Sequence, residues 1–341
     1  MNSLEYNFRT TIIGSMPHTE AKPACELIHR HLKDIPAWPQ LPRRSGLEGM
    51  DVQFSKGFPG LSLIDGKLVF NRSEGFNEAL ESLYNAYLTD DYGKYGVTNE
   101  YAAGLDCFLK SDAGDTWAVK GQISGPISWC LGISDEEGKS ILYDDILSDA
   151  AARMLAMSAA WQEQKLQNLN KNTIIFVDEP AMSSYGSAFF NISQDKTIGL
   201  INESLSKMRG LKGIHCCGNT DWGLVLSTNV DILSFDAYQY GSTLSLYPDA
   251  VKSLLKRGGA VAWGIVPNTE PEVAKETPAS LRDRLEETMA PFTRAGIPFR
   301  ELASKSLITP SCSLALLTEE AAEQALVLLN ELACLMKKKY L

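Results

Sequence analysis

The chain lacks an excess of basic residues, a long apolar run and a recognisable targeting segment. Its 341 residues include 32 Lys and Arg against 42 Asp and Glu, which gives a net charge of −10. This balance argues against nucleic-acid binding, which needs a basic stripe. No apolar stretch approaches the roughly 18 residues that span a bilayer, and residues 1–5 lack the basic and apolar regions of a signal peptide. We therefore expect a cytoplasmic protein that binds neither nucleic acid nor membrane.

Repeats, low-complexity segments and Pro/Gly/Ser-rich linkers are also absent, so no feature of the sequence divides the chain. A length of 341 residues suits one large α/β barrel with insertions. In a reducing compartment, the seven cysteines are expected to be buried residues, metal ligands or nucleophiles and not disulfides. We predict a single domain that spans residues 1–341.

Short β-rich runs alternate with amphipathic segments along the chain. The predicted strands are 11–14, 37–41, 116–122, 173–178, 213–217, 232–236, 260–264 and 307–309. The predicted helices are 21–32, 141–169, 196–208, 248–256, 278–295 and 318–338. Eight strands alternating with helices indicate a parallel sheet, and eight is the number that closes a (β/α)8 TIM-type barrel.

The second predicted strand is followed by an insertion of roughly seventy residues before the third. Within it, residues 61–70 read Leu-Ser-Leu-Ile-Asp-Gly-Lys-Leu-Val-Phe, and Asp65-Gly66 is typical of a hairpin turn. We expect this insertion to cover the mouth of the barrel.

Active sites of such barrels form at the carboxyl ends of the strands, where this chain places a histidine and several cysteines. In a strand, residues two apart face the same side, so His215 and Cys217 can face one ion while Cys216 faces away. Cys312, at the end of the last strand, is the natural distant partner, and Asp236 offers an oxygen ligand. Imidazole and thiolate ligands suit zinc. The alternatives are that these cysteines are simply buried apolar residues, or that Cys216 binds in place of Cys217.

Two further strand ends carry polar groups. Asp178, in the run Val-Asp-Glu-Pro, can anchor a cationic group such as an amine, or it can cap the following loop. Gly14 and Ser15, after the first strand, can present N–H groups and a hydroxyl to a carboxylate or phosphate. A Gly-Ser turn is common in proteins, so the second signal is the weaker one.

These motifs resemble one known family. Thr-Ile-Ile-Gly-Ser at 11–15, Val-Asp-Glu-Pro at 177–180, His215-x-Cys217 and Pro310-x-Cys312 follow the order and spacing of the catalytic barrel of cobalamin-independent methionine synthase. The wider superfamily includes uroporphyrinogen decarboxylase and the methylcobalamin:coenzyme M methyltransferases. The resemblance covers residues 10–335. The segment His-Cys-Cys-Gly-Asn-Thr at 215–220 is closer to the coenzyme M enzymes.

The resemblance implies a zinc-dependent methyltransferase that methylates a thiol, with homocysteine giving methionine. It implies zinc bound by His215, Cys217 and Cys312, with Asp236 at the place of the family's glutamate ligand. It also implies that Ser15 and Asp178 hold the carboxylate and amine of the substrate. The alternatives are a methylcobalamin:coenzyme M-type methyltransferase and a zinc-free decarboxylase-like protein, although the decarboxylase's arginine-rich motif has no counterpart at 15–23.

The methyl donor is expected to be either a methylcorrinoid, free or on a corrinoid protein, or methyltetrahydrofolate. The full-length synthase carries an additional N-terminal barrel for which this chain has no room, and this favours the corrinoid. Trp38 and Trp129 are candidates for stacking on a pterin ring, which favours the folate.

Overall fold

The computed structural model of the protein describes residues 4–187 and 190–341. The strands of these residues are β1 (Arg9–Thr10), β2 (Leu61–Ile64), β3 (Lys67–Phe70), β4 (Val119–Ser124), β5 (Ser134–Asp135), β6 (Thr173–Asp178), β7 (Leu211–Cys216), β8 (Ile232–Phe235), β9 (Ala260–Val266) and β10 (Ser306–Pro310).

Helices alternate with strands along most of the chain. They are α1 (Ala21–His31), α2 (Met50–Gln53), α3 (Phe76–Leu88), α4 (Ala103–Leu109), α5 (Pro126–Leu131), α6 (Asp145–Leu166), α7 (Gln194–Leu205), α8 (Trp222–Leu226), α9 (Ala237–Leu244), α10 (Pro248–Lys256), α11 (Glu270–Val273), α12 (Pro278–Arg294), α13 (Phe299–Ser304) and α14 (Glu319–Tyr340). Short 3-10 turns lie at Gly46–Glu48, Tyr92–Tyr95, Ile141–Tyr143 and Pro180–Ser184. No helix of the described ranges is long and apolar enough to cross a membrane.

Seven strands form one parallel sheet in the order β1-β10-β9-β8-β7-β6-β4, and each neighbouring pair is parallel. Parallel neighbours need crossover connections, which helices supply here. The sequence prediction of an α/β fold with a parallel sheet is therefore confirmed. The curled sheet is consistent with a TIM-type barrel.

The register of the sheet aligns three polar residues. Asp178 of β6 lies opposite His215 of β7, and His215 lies opposite Ser234 of β8. Because residues in register on neighbouring strands face the same side of a sheet, these three lie on one face. A small cluster of buried apolar residues, including Ile174, Phe176 and Ile232, packs near the amino ends of the same strands. Asp178, His215 and Ser234 therefore lie toward the carboxyl ends of their strands, away from this apolar cluster.

The predicted strand at 37–41 is present only as a pair of isolated bridges. Ala37 pairs in parallel with Lys120 of β4, and Gln40 pairs in parallel with Ser15, which follows β1. Prolines at 36, 39 and 42 lack the N–H groups that a continuous ladder needs. Residues 36–42, which we call the proline seam, therefore connect the two edges of the sheet through few hydrogen bonds.

The first predicted strand, 11–14, is wrong in its bounds, because β1 consists of Arg9–Thr10. The Thr11 N–H still donates to the Ile308 carbonyl at 3.3 Å, but the next bond of a parallel ladder would come from residue 310. That residue is a proline without an N–H. The ladder therefore stops, and residues 12–15 continue as an irregular turn.

The other strand predictions agree with the structure more closely. The strand at Thr173–Asp178 has the predicted bounds, as does the helix at Pro248–Lys256. The predicted strand 116–122 starts three residues too early, because β4 begins at Val119.

A hairpin lies between the proline seam and β4. Strands β2 and β3 pair antiparallel, and the turn between them has positive φ at both Asp65 (48°) and Gly66 (76°). This is the conformation that Asp-Gly favours in two-residue hairpins, so the predicted hairpin is confirmed. The preceding helix α2 reaches the sheet's carboxyl edge, since the Ser124 hydroxyl donates to the Met50 carbonyl at 2.5 Å.

Candidate metal centre and substrate pocket

Three side chains from two strand ends converge at the carboxyl edge of the sheet. One ligand atom each of His215, Cys217 and Cys312 lies within 4.8 Å of the other two. His215 belongs to β7, Cys217 follows that strand and Cys312 follows β10. The neighbouring Cys216 faces away, since it is buried and its thiol donates to the Gly218 carbonyl at 3.5 Å. Cys217, and not Cys216, therefore joins this group, which we call the His-Cys-Cys group.

The His215 ring is held by one nitrogen and presents the other. Its Nδ1 lies 3.0 Å from the hydroxyl oxygen of buried Ser234. Its Nε2 is buried and has no hydrogen-bond partner among the described residues. A metal-binding histidine typically uses its second nitrogen in this way, because the bond fixes the ring and leaves the first nitrogen's lone pair available.

The two thiols of the group shift each other's pKa in opposite directions. The neighbouring Cys312 thiol and then the His215 ring lower the pKa of Cys217, against the effect of burial. The same interaction with Cys217, followed by burial, raises the pKa of Cys312. In the metal-free protein, Cys217 therefore loses its proton more easily than Cys312 does. Burial raises the pKa of Cys216 to about 12, so that thiol stays protonated at neutral pH.

Asp236 lies outside the His-Cys-Cys group. Its Oδ1 instead accepts the Gln239 N–H at 2.9 Å and caps the start of α9. An aspartate is one methylene shorter than the glutamate of the family pattern. Burial raises the pKa of Asp236 to about 6, while its bond to Gln239 opposes that shift.

A cavity of about 260 Å³ opens beside the His-Cys-Cys group. It is lined by all three members of the group together with Ile13, Ser15, Gln40, Pro42, Glu48, Met50, Ser124, Asp178, Pro180 and Ser313. No lysine or arginine is among these described lining residues. The volume suits a small molecule of amino-acid size, and the lining charge is negative.

Asp178 supplies negative charge to this cavity at the end of β6. Its Oδ1 is buried and has no hydrogen-bond partner among the described residues. Burial raises the pKa of Asp178 to about 6, and the nearby His215 and Lys120 side chains oppose that shift. A buried carboxylate oxygen without a donor is costly, so a donor-bearing ligand is the natural partner.

The adjacent carboxylate, Glu179, has a structural role. It is fully buried and accepts the N–H groups of Ile127 and Ser128 at 2.9 and 2.8 Å and the Ser128 hydroxyl at 2.6 Å. It therefore holds the start of α5 against the end of β6. Of the two carboxylates, only Asp178 is available to a ligand.

Ser15, in the turn at Gly14 and Ser15, lines the same cavity. In the described part of the chain, neither the Gly14 N–H nor the Ser15 N–H donates to a protein acceptor. The Ser15 hydroxyl lies 3.4 Å from Gln40 Oε1. A Cβ on Gly14 would lie 2.6 Å from both the Gln122 Cδ and Gln40 Oε1, so only glycine fits. The turn offers two N–H groups and a hydroxyl to an acceptor.

Sequence reasoning missed two polar residues around the site. Ser234 interrupts the apolar strand Ile-Leu-Ser-Phe, and Lys120 interrupts Val-Lys-Gly-Gln-Ile-Ser. A lone polar side chain in a buried strand was the available signal in both cases. Burial lowers the pKa of Lys120 to about 7, and the charge of Asp178 opposes that shift.

No sequence family and no curated protein matches this chain. The solved structures that are similar to it include two methionine synthase-like proteins. A B12-independent methionine synthase from Shewanella sp. W3-18-1, in complex with selenomethionine, aligns at 18% identity with a TM-score of 0.47 over 65% of this chain, which spans 63% of that chain. A protein from Listeria monocytogenes, provisionally assigned as a vitamin-B12-independent methionine synthase, aligns at 17% identity with a TM-score of 0.57 over 96% of this chain and 97% of its own. The second likeness shows a shared fold over nearly the whole of both chains.

Proposed function

We propose that the protein is a zinc-dependent methyltransferase that methylates the thiol of an amino acid, with homocysteine as the substrate and methionine as the product. The observation that carries the proposal is the His-Cys-Cys group beside a cavity lined by Asp178, whose buried Oδ1 has no partner, and by Ser15, in a turn whose N–H groups have no protein acceptor among the described residues. The shared fold with the Listeria protein agrees with this assignment. We further propose that residues 1–341 form one barrel domain in which the proline seam occupies the eighth strand position.

The donor set of the His-Cys-Cys group fits zinc. Two thiolates and one imidazole are ligands that zinc prefers, and catalytic zinc sites keep a fourth position open. Asp236 lies outside the group and its Oδ1 caps α9, which supports a site in which that position stays open to the substrate. Bound zinc supplies a Lewis acid at which a substrate thiol loses its proton at neutral pH.

The remaining residues bind and orient the amino-acid part of the substrate. We assign the amine to Asp178 and the carboxylate to the turn at Gly14 and Ser15, since Asp178 and Ser15 line the same cavity, and since the Asp178 Oδ1 and the two N–H groups of the turn have no partner among the described residues. When both the amine and the carboxylate are bound, the short side chain of the substrate can place its sulfur in few positions. In the transfer, a bond forms between sulfur and the methyl carbon, and the donor leaves with the electron pair of the broken bond.

Two alternatives predict different ligands. A coenzyme M-type enzyme would take a thiol with a sulfonate and no amine, for which Asp178 offers no partner and the cavity lining offers no lysine or arginine. A zinc-free decarboxylase-like protein would need no metal ligands, so it does not explain why His215, Cys217 and Cys312 converge. The cavity therefore favours the amino-acid thiol.

The first experiment measures bound metal. We expect elemental analysis of reduced protein to find about one zinc per chain, as a single site of this donor set implies. Cys217→Ser combined with Cys312→Ser should lose the metal, whereas Cys216→Ser, which changes a cysteine outside the group, should retain it. Zinc near zero in the wild type, or equal in all three proteins, would exclude the site.

The second experiment identifies the methyl donor, which we propose is either a methylcorrinoid or methyltetrahydrofolate. The comparisons give no support to a corrinoid-bearing partner. Homocysteine is supplied with methylcobalamin and with methyltetrahydrofolate in parallel, and methionine is measured; coenzyme M serves as the acceptor in matched reactions. Methylation of coenzyme M but not of homocysteine would contradict the proposed substrate.

A further inference from the structure

Lys120 is a charged residue in the interior of the protein that the proposed reaction does not use. Its side chain on β4 is fully buried. The Nζ donates to the Ile13 carbonyl at 2.6 Å and to Gln122 Oε1 at 3.1 Å, and it lies 4.3 Å from the centroid of the Phe176 ring. These contacts only partly compensate for an ammonium removed from water, because none is a carboxylate.

The contacts of Lys120 converge on the turn at Gly14. The carbonyl that receives its hydrogen bond belongs to the peptide between Ile13 and Gly14, and the N–H of that same peptide has no protein acceptor among the described residues. Gln122, the second acceptor, packs against Gly14 on the side where a Cβ would project, with its Cδ 2.6 Å from that position. Lys120 therefore holds this turn in position through two contacts, one with the Ile13 carbonyl and one through Gln122.

The bond from Lys120 also polarises the peptide between Ile13 and Gly14. The described peptide bonds are all trans, so the Ile13 carbonyl and the Gly14 N–H point in opposite directions. An ammonium bonded to the carbonyl polarises the peptide and makes its N–H a stronger donor. The cavity lining holds no lysine or arginine, so Lys120 is the cation immediately behind this turn.

We propose that Lys120 is a positioning residue that makes the turn at Gly14 and Ser15 selective for a thiol carrying a carboxylate. The proposal rests on the proposed function, in which this turn receives the carboxylate. Lys120 acts through the Ile13–Gly14 peptide and through Gln122, and it does not touch the substrate.

The test compares the binding of two thiols to the zinc-loaded protein by calorimetry at about pH 6.5, where a lysine with a pKa near 7 is mostly protonated. Homocysteine carries the amine and the carboxylate, and 3-aminopropane-1-thiol carries only the amine. In Lys120→Met, we expect homocysteine affinity to fall about ten- to a hundredfold, as for loss of a charge-assisted contact. Affinity for the aminothiol should change less than about threefold, because its anchor at Asp178 remains.

Lys305→Met is the matched control. Lys305 is another buried lysine whose Nζ donates to a backbone carbonyl, that of Leu255, but it precedes β10 at the opposite end of the sheet. We expect this variant to bind both thiols like the wild type. If Lys120→Met does not fold, Lys120→Gln removes the charge while it keeps a donor for Ile13 and should show the same selective loss.

Equal weakening of both thiols in the Lys120 variants would mean a purely structural role and would overturn the proposal. A measurement on the wild type alone is also decisive. Because the charge is buried, the preference for homocysteine should persist in about 0.5 M KCl, and its disappearance there would overturn the proposal. Failure of the zinc-loaded wild type to bind either thiol would instead overturn the proposed function, and this inference with it.

Discussion

Replacing Asp178 with asparagine should weaken substrate binding and at the same time stabilise the metal-free protein. The wild-type carboxylate has a buried oxygen without a partner, and burial raises its pKa from 3.8 to about 6. Asparagine has nearly the same shape and carries no charge. The variant therefore removes the cost of holding a charge in this position together with the group proposed to bind the amine.

The magnitude follows from the change in pKa. A carboxyl whose pKa is higher in the folded state costs no stability below its unfolded value of 3.8, and the cost grows as the pH rises to about 6. A difference of about two units corresponds to about 3 kcal/mol at pH 8, which is an upper limit because the asparagine amide stays partly unsatisfied. We expect Asp178→Asn to raise the unfolding free energy by about 1–3 kcal/mol at pH 8 and by nearly nothing at pH 4.

The assay is urea unfolding of the chelator-treated protein at both pH values, combined with calorimetric titration of homocysteine into the zinc-loaded protein. Loss of a charge-assisted hydrogen bond should weaken binding about ten- to a hundredfold, with zinc content unchanged. Asp221→Asn is the control, since Asp221 caps α8 at the Leu224 N–H, where asparagine is an equally good cap. A variant that is less stable at pH 8, or that binds homocysteine normally, would refute this reasoning.

Three further substitutions test the surrounding structure. Ser234→Ala removes the partner of His215 Nδ1, and zinc affinity measured by chelator competition should fall about ten- to a hundredfold; unchanged affinity would mean that the ring is held otherwise. Glu179→Ala leaves the buried Ile127 and Ser128 donors without an acceptor and should cost at least about 3 kcal/mol in urea unfolding, whereas a loss under 1 kcal/mol would contradict that role. Gly14→Ala introduces a methyl group 2.6 Å from two glutamine side chains, and we expect losses of about 1–3 kcal/mol in stability and of homocysteine binding by calorimetry; full retention of both would show that the turn can move.

The sequence predicts the members of the site better than it predicts their partners. Period-two alternation and the position of strand ends were sufficient to place His215, Cys217 and Cys312 in one region, because parallel strands end at a common edge. Alternation also favoured Cys217 over Cys216, although it left Cys216 open as an alternative, and the structure brings Cys217 into the group. In contrast, the contact between His215 and Ser234 depends on the register of β7 against β8, which a single sequence does not specify.

Other differences between the sequence predictions and the structure arise from backbone N–H groups that are missing at prolines or that need a side chain as acceptor. Prolines at 36, 39 and 42 and at 310 interrupt strands that their apolar neighbours would otherwise favour. Asp236 matches a ligand position in the family pattern, but its side chain satisfies the first N–H groups of α9. Whether a carboxylate caps a helix or faces an ion depends on the local backbone path. Lys120 was missed because its acceptors, Ile13 and Gln122, lie on different segments.

The proline seam has a consequence for how the protein moves. Its cross-strand hydrogen bonds run from Trp38 to Lys120, from Lys120 to Pro36 and between Gln40 and the turn after β1, whereas the β4 and β6 neighbours pair over six residues. Local opening is cheapest where few buried hydrogen bonds must break. Amide hydrogens along residues 36–42 should therefore exchange with deuterium earlier than those of β6, through fluctuations that leave the rest of the sheet closed.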